Sequence, residues 1–403
     1  MKPLEGIKIL DFTHAYSAVY TGMQFADLGA DIIKIERLGG EQSRDWMPFS
    51  KDYNNRSTYY ATFNRNRLNL AVNTKLDEGK EIIYQLVKDA DVVLVNMRNG
   101  AMDNLKLGYE DLHAINPKLV YATLNGYGSK GPLSPFKAYD NICSAYSGIM
   151  YATGREDQPP MKLGISIGDN YAGLNMFSSV MTALYHAQMT GEGQLVEIAM
   201  MDSLFGLVDK QILEYSMTGE EPARHGNANT QYAPEDIFAV AGEDNNVALS
   251  IRSEEEWKRF CDVMYHNEWA VDERFATNEL RKANYAELRP LIADALREED
   301  RDALQDKLNH AGVPCGAGMR VSELIREPQL LERHMIRYQN DMQVGPLLTA
   351  GLPMKFSDTV ADEIKSSRFP GMDNEKILSE RLGYSDEKIQ ELKDKQVIGF
   401  TTR

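Results

Sequence analysis

The residues with chemical capacity fall into three groups. Two aspartates stand where helices are predicted to begin: Asp140, directly after Tyr139, and Asp169, directly after Gly168 in GISIGDNYAG. A carboxylate at a helix start can accept from free backbone N–H groups, and the helix dipole favours its ionised form. Arginines and lysines gather beside the N-terminal loops, at Lys34, Arg37, Arg44, Arg56, Arg65, Arg67, Arg98 and Lys137. Singly they read as solvated surface; as a set beside predicted strand ends they form a rim suited to phosphates. His14 stands alone in a turn, where a structural hydrogen bond is its ordinary use. Cys143, Cys261 and Cys315 are far apart, odd in number and without CxxC spacing, so they imply neither a disulfide framework nor a zinc site. They read as buried thiols.

The elements that must position these groups follow from hydrophobic periodicity. An apolar run from Ile7 to Phe12 meets a polar turn at Thr13 to Tyr16, an amphipathic stretch runs to Leu28, Gly29 stops it, and Asp31 to Glu36 is β-rich. That is a βαβ unit, with its first loop at the strand end where open α/β sheets bind ligands. Further strands are predicted at Leu68 to Val72, Asp91 to Asn96, Leu119 to Leu124 and Gln194 to Met200. Helices are predicted from Thr74 to about Asp89, at Tyr109 to Ile115 and from Asp169 to about Met189. Such alternation means a parallel sheet covered by helices. After Thr218 the composition turns polar and turn-rich in TGEEPARHGNANTQYAPED, a linker. Two strands around GEDNN and helices at Glu254 to Tyr265, Tyr285 to Leu296 and Arg301 to Ala311 then predict a compact second domain. The end carries strand-like text near Val344 and short helices at Asp373 to Leu382 and Ser385 to Lys395.

With 403 residues, the chain exceeds what one core usually organises. The predicted division is a large α/β domain over 1–220, a smaller α+β domain with its linker over 221–329, and a return segment over 330–403 that completes the large domain. A net charge of −16 argues against nucleic acid as the main partner. No apolar run approaches the roughly 20 residues that span a bilayer, and the start lacks a signal-peptide core, so a cytoplasmic protein without a membrane partner is expected.

Several segments, in order, carry a resemblance. LDFTH followed by ADLGADIIKIE resembles the start of the class III CoA-transferases, the family of formyl-CoA:oxalate and carnitine CoA-transferases, also called CaiB/BaiF. NRNRLNLAVN, DVVLVNMRNG, LVYATLNGYGSKGP, KAYDNICSAYSGIMYATG, GEGQLVEIAMMDSL and AGVPCGAGMRVSELIREPQLLERHMI resemble further family segments, so the likeness covers nearly the whole chain. It implies a Rossmann-like open parallel sheet in the large domain, an interlocked homodimer, acyl-CoA and small carboxylic acids as substrates, no tightly bound cofactor and no metal.

The resemblance also implies roles. Asp169 matches the family's nucleophile, with Gly168 permitting close approach of substrate, and backbone N–H groups near Gly168 or in other glycine turns are the natural oxyanion donors. Asp140 matches an acidic position near the active site, beside its ordinary reading as a cap. His14, Tyr16, Ser17, Arg37, Asn96, Met97 and Lys137 match the CoA-binding positions, Arg37 and Lys137 as phosphate partners. The implied activity is CoA transfer from an acyl-CoA donor to an acid acceptor through mixed anhydrides and an aspartyl-CoA thioester. One rival is an acyl-CoA racemase or epimerase. The related racemases carry a histidine where this chain has Tyr139, and tyrosine is a poor base at neutral pH. The other rival is a non-catalytic acyl-CoA-binding protein, against which the Gly-Asp context of Asp169 speaks. Tyr16 stands where formyl-CoA:oxalate transferases have glutamine, Asn104 where they have arginine, and no glycine run lies between Arg224 and Glu235. Oxalate recognition is therefore not expected, and GNANTQYAPED reads either as an alternative lid, with Asn227, Asn229 and Gln231 as contacts, or as a loop alone.

Overall fold

The computed structural model describes residues 1–359, 361 and 363–402. Two compact units are present. The first comprises Met1–Met150, Lys162–Leu213 and Gln329–Arg403; the second comprises Tyr151–Met161 and Glu214–Pro328. The excursion Tyr151–Met161 lies inside the span 1–220 that the sequence presents as one domain.

In the first unit a six-stranded sheet is built from β1 (Lys8–Asp11), β2 (Asp31–Glu36), β3 (Leu68–Ala71), β4 (Val92–Val95), β5 (Val120–Asn125) and β6 (Leu195–Ala199). The order is β3-β2-β1-β4-β5-β6 and every pairing is parallel. The strand order reverses between β1 and β4, which opens a crevice beyond their C-terminal ends. Because side chains alternate along a strand, the sheet feeds two cores. Ile9, Val92 and Leu94 face α1 (Ser17–Asp27) and α4 (Ile167–Thr190), in a cluster with Ala18, Phe25, Ala172 and Met176. Leu10, Val93 and Val95 face α2 (Asp77–Val87), in a cluster with Ile82, Ile83 and Leu86 that the C-terminal Ile377, Leu378 and Ile389 complete. The return segment is thus part of the first unit's core.

Most predicted boundaries hold within a few residues. The helix expected from Thr74 starts later: Leu76 is its N-cap without a side-chain bond, and Asp77 and Glu78 occupy the first turn. Acidic side chains complement the dipole there without capping. A short helix, α3 (Asp140–Tyr146), precedes α4. Helices α1 and α4 cross closely because Gly173 has no side chain: a Cβ there would lie 2.6 Å from the Ser17 carbonyl oxygen. Thr21 Oγ1 also donates to the Gly173 carbonyl at 2.8 Å. This contact brings the loop before α1 beside the start of α4.

The second unit has an antiparallel three-stranded sheet of β7 (Glu235–Ala239), β8 (Asn246–Ser250) and β9 (Cys315–Ala317), ordered β9-β8-β7. Its core gathers Trp257, Phe260, Phe275, Leu288, Ile292, Leu304 and Leu308. Ser253 and Glu256 close a capping box at the helix Glu254–Val263. Asn229 is tied locally, accepting from the Gln231 amide at 2.7 Å and donating to Glu235 at 2.9 Å.

Candidate active site

Strand β1 ends in a buried charge cluster. Asp11 accepts from Arg67 at 2.7 Å and stands 3.7 Å from Lys34 Nζ, and it also accepts from the Thr13 amide at 2.8 Å. Lys34 in turn donates to the Thr13 carbonyl. Burial alone would raise the Asp11 carboxyl, but Lys34 and Arg67 outweigh it and hold it below the usual range. Ala15 then takes a positive φ of 66°. His14 is latched by Asn96, whose amide accepts from the His14 N–H at 2.9 Å and donates to its carbonyl at 2.7 Å. The loop 13–16 is therefore fixed from below and from the side. Burial, with Lys34 next, lowers the His14 pKa and keeps its imidazole neutral at neutral pH.

Above this loop lies a cleft of about 1100 Å³ whose wall belongs entirely to the first unit. It brings together His14, Tyr16, Ser17, Asn96, Met97, Lys137, Asp140 and Asp169. Two expected residues stand outside the wall. Gly168 is buried behind it, where an added Cβ would lie 2.9 Å from Asp140 Oδ1 and 3.0 Å from Met200 Sδ. Arg37 is exposed and donates to its own turn at the Gly40 carbonyl, 2.5 Å away. The phosphate rim read from the sequence is half dismantled. Lys34, Arg65 and Arg67 are buried, and Arg44 half-buried, in ion pairs with Asp11, Asp27 and Glu36. Of the eight cations, Arg98 and Lys137 line the cleft; Lys162, absent from the sequence reading, joins them.

Asp169 is not the cap of α4. It lies in the helix's first turn, whose N-cap is Ser166 without a side-chain bond. The capping carboxylate is Asp140, reaching across from the start of α3: its Oδ1 accepts from the Gly168 N–H at 2.7 Å and lies 3.4 Å from the Asp169 N–H. Among the N–H groups expected to serve as oxyanion donors, those of Gly168 and Asp169 already face Asp140. Asp169 keeps its carboxylate for the cleft. Burial and the neighbouring Asp140 push its pKa up to about 7, so the dipole does not keep it fully ionised at neutral pH. Cys143 is buried beside this pair; burial, Asp169 and Asp140 push its thiol up to about 12, which disqualifies it as a nucleophile.

The remaining wall is aromatic. Tyr16 packs on Phe63 at 4.7 Å and Tyr59 at 5.6 Å between ring centroids, and Trp46 packs on Tyr59 at 5.6 Å. Trp46 and Tyr59 line the cleft, unlike Ala18 and Val19, which are sealed in the core. Sequence reasoning missed both aromatics. The signal available was an aromatic in turn-forming text, SRDWMPF, where no core-facing periodicity requires one. No cluster of metal-ligating side chains occurs among the described residues, and none of their helices is long and apolar enough to cross a membrane.

The model of CoA-transferase family III matches residues 4–375. The chain belongs to that family. This class III CoA-transferase is 35% identical over 357 residues to the acetyl-CoA:oxalate CoA-transferase of Acetobacter aceti, covering 88% of this chain and 89% of that protein. It is 34% identical to the succinate–glutarate CoA-transferase of Agrobacterium fabrum, over 82% and 84% of the two chains. A solved CaiB/BaiF family structure from Brucella suis matches with a TM-score of 0.85 at 31% identity, covering 94% of this class III CoA-transferase and 99% of that chain.

Proposed function

We propose that this enzyme moves CoA from an acyl-CoA to a carboxylic acid through covalent intermediates on Asp169. The observation that carries the reading is the Asp169 carboxyl itself: it lines the cleft, is free of capping duty and titrates near neutrality. Its oxygen attacks the thioester carbonyl; the C–S bond breaks and CoA leaves as thiolate, giving a mixed anhydride. The thiolate then attacks the Asp169 carbonyl, releasing the donor's carboxylate and leaving an aspartyl-CoA thioester. An acceptor carboxylate repeats the two steps in reverse, and Asp169 is regenerated with no net proton change. Arg98, Lys137 and Lys162 supply the cleft's positive charge toward the CoA phosphates, with Arg37 further out. Asn96 and His14 act by fixing the loop that shapes the cleft.

For the acceptor, the aromatic wall of Tyr16, Trp46 and Tyr59 supports an acid larger than oxalate. The named relatives act on oxalate, succinate and glutarate. A competition assay with oxalate, succinate and a branched or aromatic acid decides this; preference for oxalate would refute it. The chemistry is tested by incubation with acyl-CoAs and a panel of acids, with mass detection of new thioesters and peptide mapping of the CoA adduct. The expected adduct is on Asp169. Exchange of deuterium at C2 without new thioesters would instead indicate a racemase, and silence in both assays a binding protein.

The working unit proposed is the homodimer. Supporting it, the first unit leaves Leu174, Tyr185, Met189, Phe205 and Leu213 more than 40% exposed, a level of apolar exposure that suits a buried interface. Sedimentation at micromolar concentration should give twice the 45.5 kDa chain mass.

A further inference from the structure

The loop that follows β4 begins NMRNG, and its two asparagines, Asn96 and Asn99, serve the strand's two neighbours in the sheet, β1 and β5. Asn96 latches the loop after β1 through both backbone groups of His14. Asn99 holds the loop after β5: its Oδ1 accepts from Asn125 Nδ2 at 2.9 Å, while its own Nδ2 donates to the Gly128 carbonyl at 2.9 Å and to the Ser134 carbonyl at 3.3 Å. Asn125 Oδ1 in turn accepts from the Tyr127 and Gly128 amides at 3.1 and 2.5 Å. The short turn 96–99 thus grips two walls of the cleft.

The segment that Asn99 grips, 126–138, forms neither helix nor strand. It is a compact loop whose ends meet, for a Cβ added to Gly126 would lie 2.1 Å from Ala138 Cβ. Its base is anchored without Asn99, because the Gly126 carbonyl accepts from the Met201 N–H at 3.0 Å. Above the base, Gly128 and Gly131 take positive φ values of 80° and 92°, which glycine enters and leaves freely. Ser134 precedes Lys137 by three residues, so the bond from Asn99 fixes the loop just before the cation that lines the cleft. Asn99 is itself exposed, and hydrogen bonds that water can replace add little to stability. What they settle is which conformation the loop occupies.

We propose that Asn99 is a positioning residue for acyl-CoA, holding the loop 126–138 in the conformation in which Lys137 meets the CoA phosphates. The inference rests on Lys137 being a phosphate partner. A loop ordered before the ligand arrives spares binding the cost of ordering it, so Asn99 contributes affinity without touching a reacting atom. The base of the loop and the Asp140 cap have holds of their own, which leaves the chemistry at Asp169 unchanged.

The test uses the full chain with acetyl-CoA or succinyl-CoA, whichever the wild-type enzyme turns over faster, and variants checked for an unchanged melting temperature. Asn99→Ala should raise the KM for acyl-CoA about fivefold and leave kcat within about twofold. Amide hydrogen exchange should quicken across 126–138 and stay unchanged across Val120–Leu124. In a Lys137→Met background the same substitution should change KM by less than about twofold, because Asn99 acts through Lys137. Asn99→Ser, whose hydroxyl is too short to span Asn125 and Gly128 together, should behave alike and replaces the alanine variant if that melts early. An Asn99→Ala enzyme with a KM within about twofold of wild type overturns the proposal. An effect of equal size with and without Lys137 also overturns it, since Asn99 would then meet the ligand directly. If Lys137→Met alone leaves KM unchanged, the phosphate partner is wrong and the proposal falls with it, an outcome read without any Asn99 variant.

Discussion

Two carboxylates of the first unit are withdrawn from water, Asp11 fully and Asp169 in part, and end in opposite states. Asp11, beneath the cleft, has Lys34 and Arg67 against it and is held ionised. Asp169, on the cleft wall, has Asp140 for a neighbour and is pushed up to about 7. Burial acts in the same direction on both; the sign of the neighbour decides. The first arrangement satisfies its charges and fixes the loop 13–16. The second leaves one carboxylate uncompensated in a place a substrate can reach, which is how reactive groups are kept.

The sharpest way to break the comparison is at its reactive end. Asp169→Ala should reduce transfer on the order of 10⁴-fold or more, measured as new thioester formed. Its stability should not fall as a lost cap would make it, because Asp140 caps the helix. At the structural end, Arg67→Leu leaves Asp11 buried with one partner fewer and should cost about 3–5 kcal/mol; urea denaturation reads it, and a loss below about 1 kcal/mol would mean Asp11 is not held by this pair. Asp140→Asn joins the two ends. The amide oxygen can still accept from Gly168, but the like charge is gone, so the Asp169 pKa should fall. Since the ionised form attacks, the acid limb of the pH–rate profile, expected near 7 in the wild type, should move to lower pH. An unmoved limb would assign the raised pKa to burial alone. The smallest effect is on the cations: Lys137→Met should raise the KM for acyl-CoA several-fold with kcat little changed, and Arg37→Met should raise it less, as Arg37 stands outside the wall.

The sheet was legible because its signal is local. Runs such as DVVLVN are apolar on both faces, as strands covered by helices on both sides must be, and glycine at position 29 marks a turn that its φ of 98° requires. Asp140 and Asp169 were visible as acids at helix starts. Which helix each serves was not, because Asp140 caps a helix that begins 27 residues later, and nothing in spacing along the chain reports a bond across space. The cationic rim failed for the same reason: Lys34, Arg65 and Arg67 look solvated until their partners Asp11 and Asp27 are placed by the fold. The aromatic wall escaped because Tyr59 meets Tyr16, and Trp46 meets Tyr59, only after the chain has doubled back over α1.

A carboxyl poised at half charge makes the cleft a proton buffer. At neutral pH, free CoA, which carries no acyl group to react and arrives with its phosphates, should draw Asp169 toward its protonated form, so binding takes up as much as about half a proton per site. The heat of binding should therefore differ between phosphate and Tris, whose ionisation enthalpies differ, and the difference should fade as the pH is lowered to 5, where the carboxyl already holds its proton. Calorimetry can thus read the charge on Asp169 in an enzyme that is not turning over.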